Sequence, residues 1–360
     1  MPIRTFAYRG VRRASTFAIQ PLCDRNLSTD LRHSLSSTEC SFCGLGWVRA
    51  SMQPVVSIIL PTFGRLEYLR PTVASVYRQT WRDWELIVAD DGSDAETLAY
   101  LRTLEADSRV RLLWLTHSGI PAIVRNAALR EARGEYVAFL DSDDLWAPEK
   151  LSRQVAILRS RPMCGWCYTA ISHIDGSGQP LTEPVFGPWL PCDGAVFERL
   201  VTGPVVIRTP SVLAARELVA RAGGFDETIR SGEDYDLWLR LALLSDVALL
   251  DEPLVHVRRH EANYSRNWEI AFTGRDHSLE KLQGTVDTDR RMLLRTERTR
   301  NALTLAARHA SLGNPAQMLR ALGRALPYSW SSPLWWRALV KTPLRPYVPQ
   351  RLVDAYRRRH

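Results

Sequence analysis

The chain has 360 residues, 45% hydrophobic and 24% charged, the balance of a globular protein with one large domain and appendages. No apolar run approaches the roughly eighteen residues of a membrane-spanning helix. The N-terminus lacks the apolar core of a secretory signal, and no internal repeat is visible. The net charge of +8 gathers largely at the two ends, and no nucleic-acid motif accompanies it.

Residues 1–51 carry neither a helical nor a strand period and are rich in Arg, Ser and Cys. A domain opens at Met52-Gln53-Pro54-Val55, so the segment before it reads as an upstream start or a disordered arm. An organellar presequence is disfavoured by Asp24, Asp30 and Glu39. Six cysteines include the pairs Cys40/Cys43 and Cys164/Cys167. They lie too far apart for one zinc ribbon. The second pair sits in a strand-like run rather than at a helix N-terminus, which disfavours a redox role.

Val56–Leu60 is a short buried strand followed by Pro61-Thr62-Phe63-Gly64-Arg65. A helix follows with Leu66, Leu69, Val73 and Val76 on one face. A second strand, Glu85–Ala89, ends in Asp90-Asp91-Gly92-Ser93, and a third, Tyr136–Leu140, ends in Asp141-Ser142-Asp143-Asp144. Strands alternating with helices predict a parallel sheet. Such a sheet puts both acidic clusters on its C-terminal edge, where ligands bind. Three crowded acids repel unless a cation neutralises them, and hard oxygen ligands suit Mg²⁺ or Mn²⁺ bridging to phosphates. The plainer alternative is a solvated turn in which the acids cap the next helix, with Pro148 at its first position. That helix spans 148–159 and buries Leu151, Val155 and Leu158.

Further on, Gly232-Glu233-Asp234 precedes a helix that starts Tyr235-Asp236-Leu237-Trp238. Its dipole favours carboxylates at that end, and simple helix capping is the alternative. After the strand Val247–Leu250, the spacing of Arg258 and His260 puts both side chains on one face of an extended segment. Residues 270–360 read as helical. Leu303, Ala306, Ala307 and Ala310 line one helix face, and Leu319, Leu322 and Leu326 line another beyond the break at Gly313-Asn314-Pro315. Trp330, Trp335 and Trp336 with Leu334 and Leu339 either pack on the domain or meet a membrane interface. The final stretch sets Lys341, Arg345, Arg351, Arg357, Arg358 and Arg359 against Asp354. It suits an anionic lipid surface or a solvated helix end.

In order along the chain, Ile59-Leu60-Pro61-Thr62, Val88-Ala89-Asp90-Asp91-Gly92-Ser93, Arg125-Asn126, Gly134-Glu135-Tyr136 and Asp141-Ser142-Asp143-Asp144 resemble the family 2 glycosyltransferases. The resemblance continues through Gly223-Gly224-Phe225-Asp226-Glu227, Gly232–Trp238 and Val257-Arg258-Arg259-His260. It covers roughly residues 54 to 268. One departure is Gly64, where the family usually has an asparagine.

The resemblance implies an inverting enzyme of the GT-A type: an α/β fold with a mostly parallel sheet flanked by helices. Residues 54–160 form its Rossmann-like nucleotide-sugar half and 161–268 its acceptor half, with a helical, basic C-terminal region over 269–360. It implies a nucleoside diphosphate sugar donor, a glycan or lipid-linked acceptor, and a role in bacterial surface polysaccharide or lipopolysaccharide synthesis. The cytoplasm is the expected location, with contact at the inner face of the membrane. Pro61, Thr62, Arg65, Asp90, Asp91, Arg125, Asp141 and Arg258 would contact the nucleotide sugar. Asp143, Asp141 and His260 would hold Mg²⁺ or Mn²⁺. Asp234 would be the base and Glu233 its orienting neighbour. Of Asp90 and Asp91, one would meet the base of the nucleotide and the other would shape the turn. A nucleotidyltransferase would need a glycine-richer first loop. A non-catalytic nucleotide-sugar binder or scaffold is disfavoured by the intact acidic set.

Overall fold

The computed structural model describes residues 53–181, 190–203, 205–260, 268–329, 333, 335 and 336. Expectations for residues 1–51, for Trp330, Leu334 and Leu339, and for the basic tail lie outside them.

The first strands carry apolar side chains on both faces, so they are driven between two helical layers. They are β1 (Val56–Thr62), β2 (Trp84–Asp90) and β3 (Val110–Trp114), with helices α1 (Leu66–Tyr77), α2 (Ala95–Thr103) and α3 (Pro121–Glu131) in the crossovers. Next come β4 (Tyr136–Phe139), β5 (Leu145–Trp146), α4 (Lys150–Ser160), β6 (Cys164–Ile174) and β7 (Pro180–Leu181). The second half adds α5 (Phe197–Thr202), β8 (Val212–Ala215), α6 (Arg216–Arg221), α7 (Glu233–Leu244) and β9 (Asp246–Arg258). Helices α8 (Trp268–Leu282), α9 (Thr288–Ser311) and α10 (Pro315–Ser329) follow.

The strands form one sheet in the order β3-β2-β1-β4-β8-β6-β9-β5, with β7 beside β6. Pairing is parallel from β3 to β4 and mixed beyond, where β8 runs against both β4 and β6 and β9 runs with β6. Thr62 pairs with Asp90, and Ile59 with Phe139. The ends of β1, β2 and β4 therefore reach one edge. Alternation along the strands splits the core. Ile58, Leu60, Leu86 and Val88 face α1 and α4, whereas Ile59, Ile87, Phe139 and Trp166 face α3 and α7. Leu279, Leu282, Val286 and Leu294 of the C-terminal region join that second cluster. Lys281 ties α8 down through ion pairs to Asp226 and the fully buried Asp236.

The structure corrects three expectations. Helix α4 starts at Lys150, so Pro148 is not its first residue. The preceding Leu145-Trp146 is pulled into an extended pairing with β9, and Ala147 N donates to Leu254 O. The Pro148 carbonyl instead accepts from Thr80 N. Second, Asp144 caps no helix; it is buried and accepts from the Arg258 amide. Third, α10 buries Met318, Ala321, Leu322 and Ala325 against α9 and leaves Leu319 and Leu326 exposed. The buried stripe is rotated from the one the leucine spacing suggests, because small residues let the helix approach closely. Trp335 is buried in the same cluster, edge-on to Trp336.

One buried cation stands out behind the sheet. Lys150 is wholly buried; its Nζ donates to Gln154 Oε1 at 2.6 Å and lies 4.0 Å from the Trp146 ring. Burial lowers its pKa to about 7. The unfolded chain then binds more protons than the folded one between about pH 7 and 10, so this group makes stability rise with pH in that window. Denaturant midpoints measured across the window should climb for the wild-type protein relative to Lys150→Met, which lacks the titrating group.

Candidate active site

A cleft of about 470 Å³ opens at the shared edge of β1, β2 and β4, facing the start of α7. Its floor begins with the loop after β1. Gly64 (φ 62°) and Arg65 (φ 57°) both adopt left-handed backbone, a conformation that is uncommon for a side chain like Arg65. The Gly64 amide donates to Ser93 Oγ at 2.7 Å, so the first loop is tied to the second through its backbone. The Arg65 guanidinium lies 3.6 Å from Asp143 Oδ2. Pro61 and Thr62 line the cleft, and the buried Thr62 Oγ1 has no hydrogen-bond partner among the described residues.

Asp90 and Asp91 divide the work at the end of β2. Asp90 Oδ2 accepts from the Gly92 and Ser93 amides, and Asp90 does not line the cleft. Asp91 does, and both of its oxygens are engaged. Oδ1 accepts from Ser118 N and Oγ, and Oδ2 accepts from Gly119 N. His117 Nδ1 lies 2.8 Å from the Asp91 carbonyl, and its ring stacks on Phe63 at 4.3 Å. This half-exposed aromatic pair, with Arg208 and Thr209, was missed in the sequence; only Phe63 fell inside a recognisable motif.

The acidic turn after β4 is held on two sides. Thr72 Oγ1 of α1 lies 2.8 Å from the Asp144 carbonyl and 3.1 Å from that of Ser142, and its one proton is shared among these and the Tyr68 carbonyl. Asp144 Oδ1 accepts from Arg258 N at 2.8 Å. Burial, reinforced by the neighbouring Asp143 and Asp141, pushes the Asp144 carboxyl well above the usual range. It is a structural pin that keeps the end of β9 against the turn. Consequently Arg258 Nε donates to the Asp143 carbonyl at 2.8 Å, and His260 Nε2 lies 2.9 Å from Asp143 Oδ2. Tyr68 stacks on His260. Asp141 turns the other way, toward Arg125.

Arg125 of α3 is buried and bridges the two sides of the cleft. One terminal nitrogen donates to Asp141 Oδ1 and the other to Glu233 Oε1, each at 2.6 Å. Burial opposes its charge, but the two carboxylates hold its pKa above that of an ordinary arginine. Glu233 is pushed up by its own burial, and the charge of Asp234 adds to that, while Arg125 acts in the other direction. The next residue on the chain, Asn126, clamps the turn ahead of α7. Its Nδ2 donates to Phe225 O, and its Oδ1 accepts from Phe225 N. A side chain at Gly224 would place its Cβ 2.9 Å from Asn126 Oδ1, on a backbone of positive φ. Phe225 packs edge-on against Phe139 and Trp238, which fixes the start of α7. There Asp234 lines the cleft, and its Oδ2 accepts from Thr209 Oγ1 at 2.9 Å.

The expected metal ligands thus separate. Asp143 and His260 are adjacent, Asp141 is engaged by Arg125, and no group of three or more His, Cys, Asp or Glu forms a metal site among the described residues. The adjoining Asp143 carboxylate and His260 imidazole still fit a divalent ion that draws its remaining ligands from phosphates and water, as Mg²⁺ commonly does.

Comparison with known proteins fits this geometry. A model of the family "Glycosyl transferase family 2" matches residues 57–211. The putative teichuronic acid biosynthesis glycosyltransferase TuaG of Bacillus subtilis is 31% identical over 222 residues, covering 61% of this chain and 85% of that protein. The Escherichia coli UDP-Glc:alpha-D-GlcNAc-diphosphoundecaprenol beta-1,3-glucosyltransferase WfgD is 40% identical over 105 residues, 29% of this chain and 41% of that one. The O-antigen biosynthesis protein RfbC of Myxococcus xanthus is 32% identical over 219 residues, 59% of this chain but only 16% of its own length. The crystal structure of S. aureus TarS superposes with a TM-score of 0.62 at 20% identity, covering 85% of this chain and 54% of TarS. That likeness concerns the fold.

Removing the Arg125 bridge should leave two acids without their shared cation. Arg125→Met is expected to lower unfolding free energy by about 3–5 kcal/mol, and Glu233→Gln in the same chain should return part of the loss. Urea titrations of both single variants and the double variant measure the coupling; strictly additive losses would mean that the bridge carries no energy.

Proposed function

The chain belongs to glycosyltransferase family 2, and on that premise we propose that it transfers a sugar from a nucleoside diphosphate sugar to a hydroxyl acceptor, with inversion at the anomeric carbon. The observation that carries this reading is one cleft that holds Asp143, backed by His260, on one wall and Asp234 on the other, joined underneath by Arg125. Transfer has two requirements, and they fall on opposite walls. The leaving diphosphate needs its charge met. The acceptor hydroxyl needs a base on the face away from the leaving group.

On the donor wall, Arg65 and Arg258 flank Asp143, which gives the diphosphate a cationic surround. Asp143 and His260 would hold Mg²⁺ or Mn²⁺, with Asp141 nearby but engaged by Arg125; such an ion supplies Lewis-acid stabilisation of the departing phosphate. Pro61, Thr62 and Asp91 line the part of the cleft assigned to the nucleoside. On the acceptor wall, Asp234 takes the proton of the attacking hydroxyl. Thr209 orients it through the hydrogen bond to Oδ2. Glu233 lines the same cleft but is largely buried and paired with Arg125, so it supports the wall and leaves the role of base to Asp234.

The acceptor is assigned to a growing bacterial surface glycan, free or lipid-linked. The names of the similar proteins TuaG, RfbC and WfgD support this class. A lipid-linked acceptor sets the enzyme at the inner face of a membrane; no described helix is long and apolar enough to cross one.

Release of nucleoside diphosphate from a panel of nucleotide sugars, with acceptor and Mn²⁺ present, tests the division between walls. Asp234→Asn should lower turnover by about 10²- to 10⁴-fold and leave binding of the nucleoside diphosphate intact. Asp143→Ala should lose metal-dependent binding as well. Loss of both properties in both variants would contradict the division. Thr209→Val should lower kcat with little change in donor KM, and Thr209→Ser should restore it.

A further inference from the structure

Helix α10 has two apolar faces, and only one is covered. Met318, Ala321, Leu322 and Ala325 pack toward α9 and Trp335. Leu319 and Leu326 are 56% and 45% exposed. At 100° per residue they fall on nearly one line, seven positions apart. Ala316 and Gly323 lie beside them, and Arg320 and Arg324 follow about a third of a turn farther round. All four are exposed. Leu312, at the turn between α9 and α10, is 58% exposed.

Charge identifies what such a face meets. The segment Pro315–Ser329 holds no acid. Over residues 312–360 there are nine Lys and Arg against one acid, Asp354, an excess equal to the +8 of the whole chain. The remainder of the protein is balanced. A solvated helix would mix both signs, and a protein docking face would not need the charge to continue through the following sequence. Exposed leucines bordered by arginines, with a strongly cationic flank, have the make-up of a helix lying in a lipid interface. The arginine stems can cover apolar surface while their heads reach phosphate.

We propose that the exposed face of α10 is a docking surface for an anionic lipid membrane, with Leu319 and Leu326 entering the headgroup boundary and Arg320 and Arg324 meeting lipid phosphates. This goes beyond the transfer reaction and does not depend on it.

The test is co-sedimentation of the full chain with phosphatidylcholine vesicles and with phosphatidylcholine–phosphatidylglycerol vesicles, at low and high salt. Binding to the anionic vesicles only, weakened by salt, is expected. Leu319→Ser with Leu326→Ser should weaken it about tenfold or more without changing the charge. Arg320→Ser with Arg324→Ser should weaken it by about fivefold per arginine. Both pairs are exposed, and an unchanged circular-dichroism melting curve would confirm intact folding. Equal binding to neutral vesicles, no binding to either, or wild-type binding by the leucine variant would overturn the assignment. The last outcome would place any attraction in the remaining basic sequence and not in α10.

Discussion

One buried guanidinium sets the geometry of this protein's cleft. Arg125 reaches the strand-end acid Asp141 and the helix-start acid Glu233 with equally short contacts. Taking three charges out of water is costly unless each finds its partner. The end of β4 and the start of α7 are therefore held at a fixed separation, although 108 residues divide Arg125 from Glu233. Asp143, two residues beyond Asp141, and Asp234, which directly follows Glu233, inherit that separation. The two anchored carboxylates support the cleft, and Asp143 and Asp234 are the acids beside them that the proposed transfer uses.

A second constraint works on the donor wall. The Asp144 carboxyl is buried, kept toward its protonated form, and joined to the Arg258 backbone. That junction brings the end of β9 onto the acidic turn and sets His260 beside Asp143. Thr72 holds the same turn from α1. The turn is thus fixed by the protein's own contacts, and a site ordered in this way lowers the ordering cost of any ligand it takes.

Much of this was legible in the sequence, for physical reasons. The apolar runs at Val56–Leu60, Glu85–Ala89 and Tyr136–Leu140 become neighbouring parallel strands of one mixed sheet, and parallel neighbours must bring their acidic ends to one edge. The helix behind Glu233-Asp234 was legible from its apolar pattern, although it begins at Glu233, two residues before the Tyr235 the pattern suggested. What the sequence concealed depends on distant partners. Asp144 looked like a cap and is a buried pin, because its partner Arg258 lies 114 residues away. The start of α4 shifted because β9 captured Leu145-Trp146. The covered face of α10 was misjudged because leucines alone suggested the stripe, whereas close packing selected Met318 and the alanines. Thr209 sits in a short 3-10 turn without a helical or strand period, and nothing local marks its contact with Asp234.

The most direct measurement is calorimetric titration of the wild-type chain with UDP, GDP, CDP and dTDP, each with and without Mn²⁺. Saturable binding of one diphosphate that requires the metal is expected, and it would identify the nucleotide that the Asp143 wall accepts. A folded protein that binds none of the four, or binds one equally well without metal, would contradict the assignment of Asp143 and His260 to a metal–diphosphate site.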